Sequence, residues 1–194
     1  MKIHDILEEA GYSSLCEADL SGLIMKDCDF SDRKVHRITC IGSDLTGSDF
    51  GFSDFKHADF TGAILDDSNL QGGDFSDADF IDAKMRRVKM DGTMLLSADF
   101  TRADLTGASL YQIMAMTSFE CADLTDTKFI SCRLMLSYFK GAVLKGTDFS
   151  YSDMTGVDFI GLDLTDVTFK ETIVTKSKID LKKLTKEQKK GLIF

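Results

Sequence analysis

The chain has 194 residues, 43% of them apolar, and a formal net charge of −9. That length supports one continuous core rather than two sizeable domains, and the acidic sign disfavours direct contact with nucleic acid. No apolar run reaches membrane-spanning length and MKIHDILEEAGY carries no signal-peptide pattern, so no membrane insertion and a cytoplasmic location are expected, with export by an unmarked route left open.

Residues 1–12 read as a short helical cap. KIHDILEEAG has Gly11 as its stop, and Ile3, Ile6 and Leu7 are placed to cover whatever follows. From residue 13 to 180 a different rhythm takes over. In GSDLTGSDFGFSDFKHADFTGAILDDSNL a large apolar residue returns every fifth position: Leu45, Phe50, Phe55, Phe60, Leu65 and Leu70. A helix winds a period of five around its axis, and a plain strand flips alternate members to the wrong face. The pattern fits a strand that resets. Two places before each large centre sits a small residue, on the same side of an extended step. The residue between them, most often Asp, points outward, and two corner residues follow.

The centres run from Leu15 to Leu110 in steps of five. A one-residue phase jump falls at LYQIM, which places the next centre at Met114 and a shortened corner at Tyr111 to Ile113. Steps of five then resume from Phe119 to Ile179. Every fourth centre forms a column. One column (Phe60, Phe80, Phe100, Phe119, Phe139, Phe159) is mostly Phe; another (Leu45, Leu65, Leu105, Leu124, Leu144) holds no aromatic. Four repeats per turn imply a four-sided coil, with like residues stacked along an axis. At a rise of about 4.8 Å per coil, roughly eight coils make a rod about 40 Å long. The absence of proline fits a backbone that needs all its donors.

ADLSG, SDLTG, ADFTG, ADLTG, CADLTD and TDFSY resemble the A(D/N)LxX motif of the pentapeptide-repeat family, in phase over nearly the whole chain. The resemblance implies an all-β fold, a right-handed quadrilateral β-helix, with short helical caps at both ends. Residues 181–194 form the second cap or tail: DLKKLTKEQKKGLIF reads as a basic helix with Asp180 or Thr185 as N-cap, and with Leu181 and Leu184 on the last coil.

The surface departs from its own consensus in three places. Met94, Leu96, Tyr111, Ile113, Met116, Met135, Leu136 and Tyr138, with Ala115 among them, fall at outward or corner positions of successive coils and make a candidate partner patch. Asp59, Asp79 and Asp99 stack one per coil with Asp82 beside them, an acidic column that opposes itself at low salt. Lys84, Arg86, Arg87 and Lys89 make a basic spot. At the end of the chain, Leu192, Ile193 and Phe194 either fold back on the cap or meet a second copy; proteins resembling this one dimerise through that end, so a homodimer is expected. Eight lysines against three acids give residues 170–194 a net +5, which leaves −14 on the rest.

No catalytic constellation, phosphate-binding loop or metal set is present, and no cofactor is expected. His36 and His57 have cationic neighbours and no third ligand. Cys28, Cys40 and Cys132 take inward positions and read as buried thiols, whereas Cys16 and Cys121 fall at corners. Function then rests on another protein as partner, docked on a rigid acidic rod. The alternative, implied by the resemblance, is a DNA mimic that binds DNA gyrase or a related type II topoisomerase, the acidic body steering the rod toward a basic groove.

Overall fold

The structure is a computed structural model that describes residues 14–194. The cap expected over residues 1–12 lies outside the described residues. Backbone pairing recurs every twenty residues, always parallel: Thr39 pairs with Asp59, Asp59 with Asp79, and Asp79 with Asp99. Outside one interruption described below, centres donate their N–H to the level after them, as Phe60 does to the Asp79 carbonyl at 2.7 Å. Each outward residue donates to the level before, as Asp79 does to the Ala58 carbonyl at 2.9 Å. The chain is therefore a β-helix of stacked four-sided levels. We label its sides A to D in chain order, A carrying Asp59 and D carrying Asp54.

The centres fill the interior. Along side A, Phe60, Phe80, Phe100, Phe119 and Phe139 stack ring on ring, with centroids 4.8–5.3 Å apart. Strand spacing sets that distance, and it is also a favourable one for offset rings. Hydroxyls at the small inward positions bind the levels together. Ser53 donates to the Phe30 carbonyl at 2.6 Å, Thr93 to Leu70 at 2.9 Å and Ser152 to Phe129 at 2.7 Å. Among the described residues no buried side-chain nitrogen or oxygen is left without a partner, as a dry core requires.

The phase jump lies one corner later than LYQIM suggests. Met94 pairs with Met114, but Asp99 pairs with Ser118, nineteen residues on. The centre of that side is Ala115, buried at 3% exposure, and Met114 points outward. The deleted residue belongs to the D–A corner, where Met116 stands alone between Ala115 and Thr117. Alternation across an extended step fixes this assignment: moving the centre from 114 to 115 turns each neighbour to the opposite face.

The ladder is also interrupted. Between residues 137–146 and 157–166, sides C and D stay paired, but sides A and B do not. Among the described residues the N–H groups of Phe139, Gly141, Leu144 and Gly146 find no acceptor in the next level, and neither Tyr138 nor Val143 has its bridge partner there. Val157 and Leu162 occupy the small inward positions of the lower level on the two unpaired sides. Neither carries a hydroxyl to reach the level above.

At the C-terminal end, Asp180 caps a 3-10 turn at Leu181–Lys183, and Thr185 caps a short helix α1 at Lys186–Lys190 through a capping box with Gln188. Both expected N-caps are thus used. Gln188 donates to the Leu164 and Val167 carbonyls, at 2.7 and 2.9 Å, and satisfies two open acceptors of the rod's end. Beyond α1, strand β2 (Leu192–Ile193) pairs in parallel with strand β1 (Thr172–Ile173) and adds a rung to side D. Leu184 and Leu192 are buried, whereas Leu181 is exposed.

Candidate functional site

Side D, the D–A corner and side A carry a continuous apolar band. Met94 and Met114 project from side D, and Leu96, Met116, Met135 and Leu136 line the D–A corner. Tyr138 projects from side A at 68% exposure, and Ile160 follows at the A–B corner. Tyr111 lies across side D, at its other corner. Two of these residues, Met114 and Ile160, were not singled out from the sequence. Met114 was hidden by the misplaced phase jump; Ile160 was legible as an aliphatic residue at an outward corner position.

Ile113 does not belong to the band. It fills a small inward position at 1% exposure, and Ala115 beside it is a core centre. Both were expected outward because the shortened corner was placed one step early.

The D–A corner at Met116 is one residue shorter than those of the other levels. Below it, Leu136 adopts a left-handed conformation, with φ 60°, which costs about 1–2 kcal/mol for a residue with a Cβ. Its side chain lies over Gly156, where a Cβ would come within 2.7 Å of Leu136 Cδ2. The result is a groove of about 660 Å³ whose apolar lining includes Met116, Leu136, Tyr138 and Ile160, with Lys140, Asp158 and Lys178 at its rim. Its size is that of a small-molecule or anchor-residue pocket. Asp158 accepts from Lys178 Nζ at 3.0 Å, and the rim's net charge is positive.

The acidic column is built as expected. Asp59, Asp79 and Asp99 stand on successive levels of side A. Elsewhere several of the rod's acids are held by cations. Asp66 and Asp67 accept from Arg86 and Arg87, Asp74 from Lys56 at 2.8 Å, and Asp44 from Lys26 at 3.0 Å. Asp82 receives Arg102 in two hydrogen bonds of 2.7 and 2.6 Å, so it adds no free charge to the column. The basic spot is likewise half consumed by its own ion pairs.

Aspartates just before a centre accept the amide two residues on, as Asp59 does from Thr61 and Asp99 from Thr101. These local turns hold the corners and explain why the repeat favours Asp. Asp79 is the exception: it has neither that bond nor any other hydrogen-bond or ion-pair partner for its side chain among the described residues. Partial desolvation, and then the charges of Asp59 and Asp99, raise its pKa above the ordinary aspartate value.

The cysteines fall as expected: Cys28, Cys40 and Cys132 are buried, Cys16 and Cys121 exposed. Burial pushes the Cys40 and Cys132 thiols up to about 12, which makes them unreactive at neutral pH. His36 and His57 each lie near an aspartate, at 3.7 and 3.8 Å. Among the described residues no three His, Cys, Asp or Glu side chains are grouped to hold a metal, and no helix is long and apolar enough to cross a membrane. At the C-terminal tip Ile193 and Phe194 are exposed, but Leu192 is enclosed by the cap.

The family model of pentapeptide repeats matches eight copies, over residues 36–77, 74–112, 117–156 and 137–175. No curated protein matches the chain. Among solved structures, a trypsin-treated form of QnrB1, described as a plasmid-mediated fluoroquinolone resistance protein, superposes with a TM-score of 0.78. It is 23% identical and aligned over 88% of each chain. Full-length QnrB1 gives 0.75 at 21% identity, over 91% of this chain and 93% of its own. HetL of the cyanobacterium Nostoc, involved in heterocyst differentiation regulation, gives 0.52 at 18% identity, over 92% and 91%. At these identities the likeness carries the fold.

Proposed function

Because the chain belongs to the pentapeptide-repeat family, we propose that it is a non-catalytic, right-handed rod that docks another protein through the apolar band at its D–A corner. One observation carries this reading. Single large apolar residues such as Ile24 and Phe52 are exposed elsewhere on the rod, but here Met116, Leu136, Tyr138 and Ile160 are exposed together around one shaped groove, with Met114 on the adjoining side. Exposed Tyr supplies large contact area at low conformational cost and flexible Met adapts to an irregular partner surface. A cytoplasmic site of action goes with this reading. The test is capture of interacting proteins from the native cell by the full chain and by Met116→Lys and Leu136→Lys variants. Capture that survives high salt and is lost in both variants supports the reading; equal capture by all three rejects it.

A second reading has its own observation. The Asp59–Asp79–Asp99 column is a stretch of the acidic surface left without counter-cations, and QnrB1 has the same fold over nearly its whole length. A DNA mimic acting on gyrase or a related topoisomerase would use such a column to approach a basic groove. It predicts gyrase binding that fades steeply with salt and disappears in an Asp59→Asn, Asp79→Asn, Asp99→Asn triple variant.

A further inference from the structure

We infer that the occupant of the apolar band is a second copy of this chain, packed side A to side A with the two rods antiparallel. This rests on the band being a protein-docking surface, and it names the partner. The argument is the order of charge along side A. Its outward residues run Asp79, Asp99, Ser118, Tyr138, Asp158, Lys178, one per level. Acid lies at one end, the groove in the middle and lysine at the other end. A partner must offer the reverse order over the same length, about 24 Å for five steps of 4.8 Å. The same side turned end for end offers it.

The register follows from symmetry. A two-fold axis in the contact plane and parallel to the rods would set each corner against its opposite and keep the order of levels; a two-fold axis in that plane but perpendicular to the rods, between the Ser118 and Tyr138 levels, keeps each corner opposite its own kind and reverses the order of levels. Lys178 then faces Asp79, the carboxylate that has no partner within its own chain among the described residues. At the D–A corner Lys176 faces Asp77, and Met116 faces Leu136, so that each groove receives an apolar side chain from the other rod. At the A–B corner Lys140 faces Glu120, which it approaches within its own chain only to 3.7 Å. Every pairing occurs twice. One like-signed pair, Asp99 with Asp158, is offset by the Lys178 ammonium already bonded to Asp158. All the charged groups named are solvent-exposed or half-buried in the single chain, so a second rod can reach them, and burial of the central apolar residues supplies the attraction that salt does not screen.

Sedimentation velocity of the full chain over a concentration series tests the inference. The unsubstituted protein is expected to dimerise. Asp79→Lys and Lys178→Asp are each expected to weaken the dimer at least about tenfold, because each places like charges opposite one another twice. An equimolar mixture of the two variants is expected to restore association, since a heterodimer recovers opposite-sign contacts. Leu136→Lys should give monomers with an unchanged circular-dichroism spectrum. A monomer at every concentration overturns the inference. So does a dimer untouched by Asp79→Lys and Leu136→Lys but lost in Phe194→Asp, which assigns association to the C-terminal tip. If the chain is monomeric yet Met116→Lys and Leu136→Lys abolish capture of another protein, the band is a docking surface and only its occupant is wrong. If capture is also unaffected, both readings fail.

Discussion

Truncating Phe80 to alanine tests how the core holds the rod together. Phe80 is fully buried and stacks on Phe60 at 5.2 Å and on Phe100 at 4.8 Å, with Phe75 tilted beside it at 5.9 Å. Phe→Ala changes in cores cost about 3–5 kcal/mol, and least where the surroundings collapse into the hole. Here they are held apart, because the levels above and below are fixed by backbone bonds of 2.7–3.0 Å on either side of the cavity. The cost should therefore lie at the upper end, about 5 kcal/mol, against a typical total of about 5–15 kcal/mol. For a chain of this length that lowers Tm by roughly 10–20 °C. Phe159→Ala is the internal control. Phe159 lies below the interrupted ladder and touches Phe149 and Phe169 edge-on, at 6.4 and 5.9 Å. One wall of its cavity is free to settle, so about 2–3 kcal/mol is expected. Urea titrations followed by circular dichroism, with thermal melts, measure both. A loss below about 2 kcal/mol for Phe80→Ala, or equal losses at the two sites, would show that stacking between fixed levels is not what stabilises the rod.

Two further outcomes follow from the same geometry. Asp79 has a raised folded-state pKa, so the native chain binds its proton more readily than the unfolded chain, and stability falls as pH rises through that pKa. Asp79→Asn should therefore stabilise the protein at pH 7 in low salt, at a dilution that keeps it monomeric, by less than about 1 kcal/mol. The gain should shrink as the pH falls toward about 4 and as salt is added; a gain that grows on acidification contradicts the assignment. The interrupted ladder is read by amide exchange. Phe139 and Leu144 N–H should exchange at least about tenfold faster than Phe119 and Leu124 one level earlier, and Leu162→Thr should slow them. Equal protection at the two levels would remove the interruption.

Much of this was legible in the residues. The period of five, the four columns and the Phe stack followed from alternation and like-on-like spacing, because a solenoid repeats its local environment and so writes it into the sequence. The aspartate before each centre was readable as a turn acceptor for the same reason. The exposed corner residues Met116 and Leu136, and Tyr138 beside them, stood out as departures from that repeat. The single deleted residue was found but misplaced by one corner. With Ile113, Met114 and Ala115 all apolar, hydrophobicity could not say which of them faces inward, and only the pairing of Asp99 with Ser118 decides it.

The sequence alone determined the coil, its four sides and the inward set, because each is a periodic property that a short window already contains. The tertiary structure decided which charges cancel, since Asp82 with Arg102 and Asp67 with Arg87 meet twenty residues apart across levels. It decided that Asp79 stays unpaired among the described residues, that Leu192 closes the end as a rung, and that adjacent levels part on sides A and B, above Val157 and Leu162, while sides C and D stay joined. These depend on what lies directly above and below a residue and on how much room is left there, and steric fit between levels is not carried by the repeat.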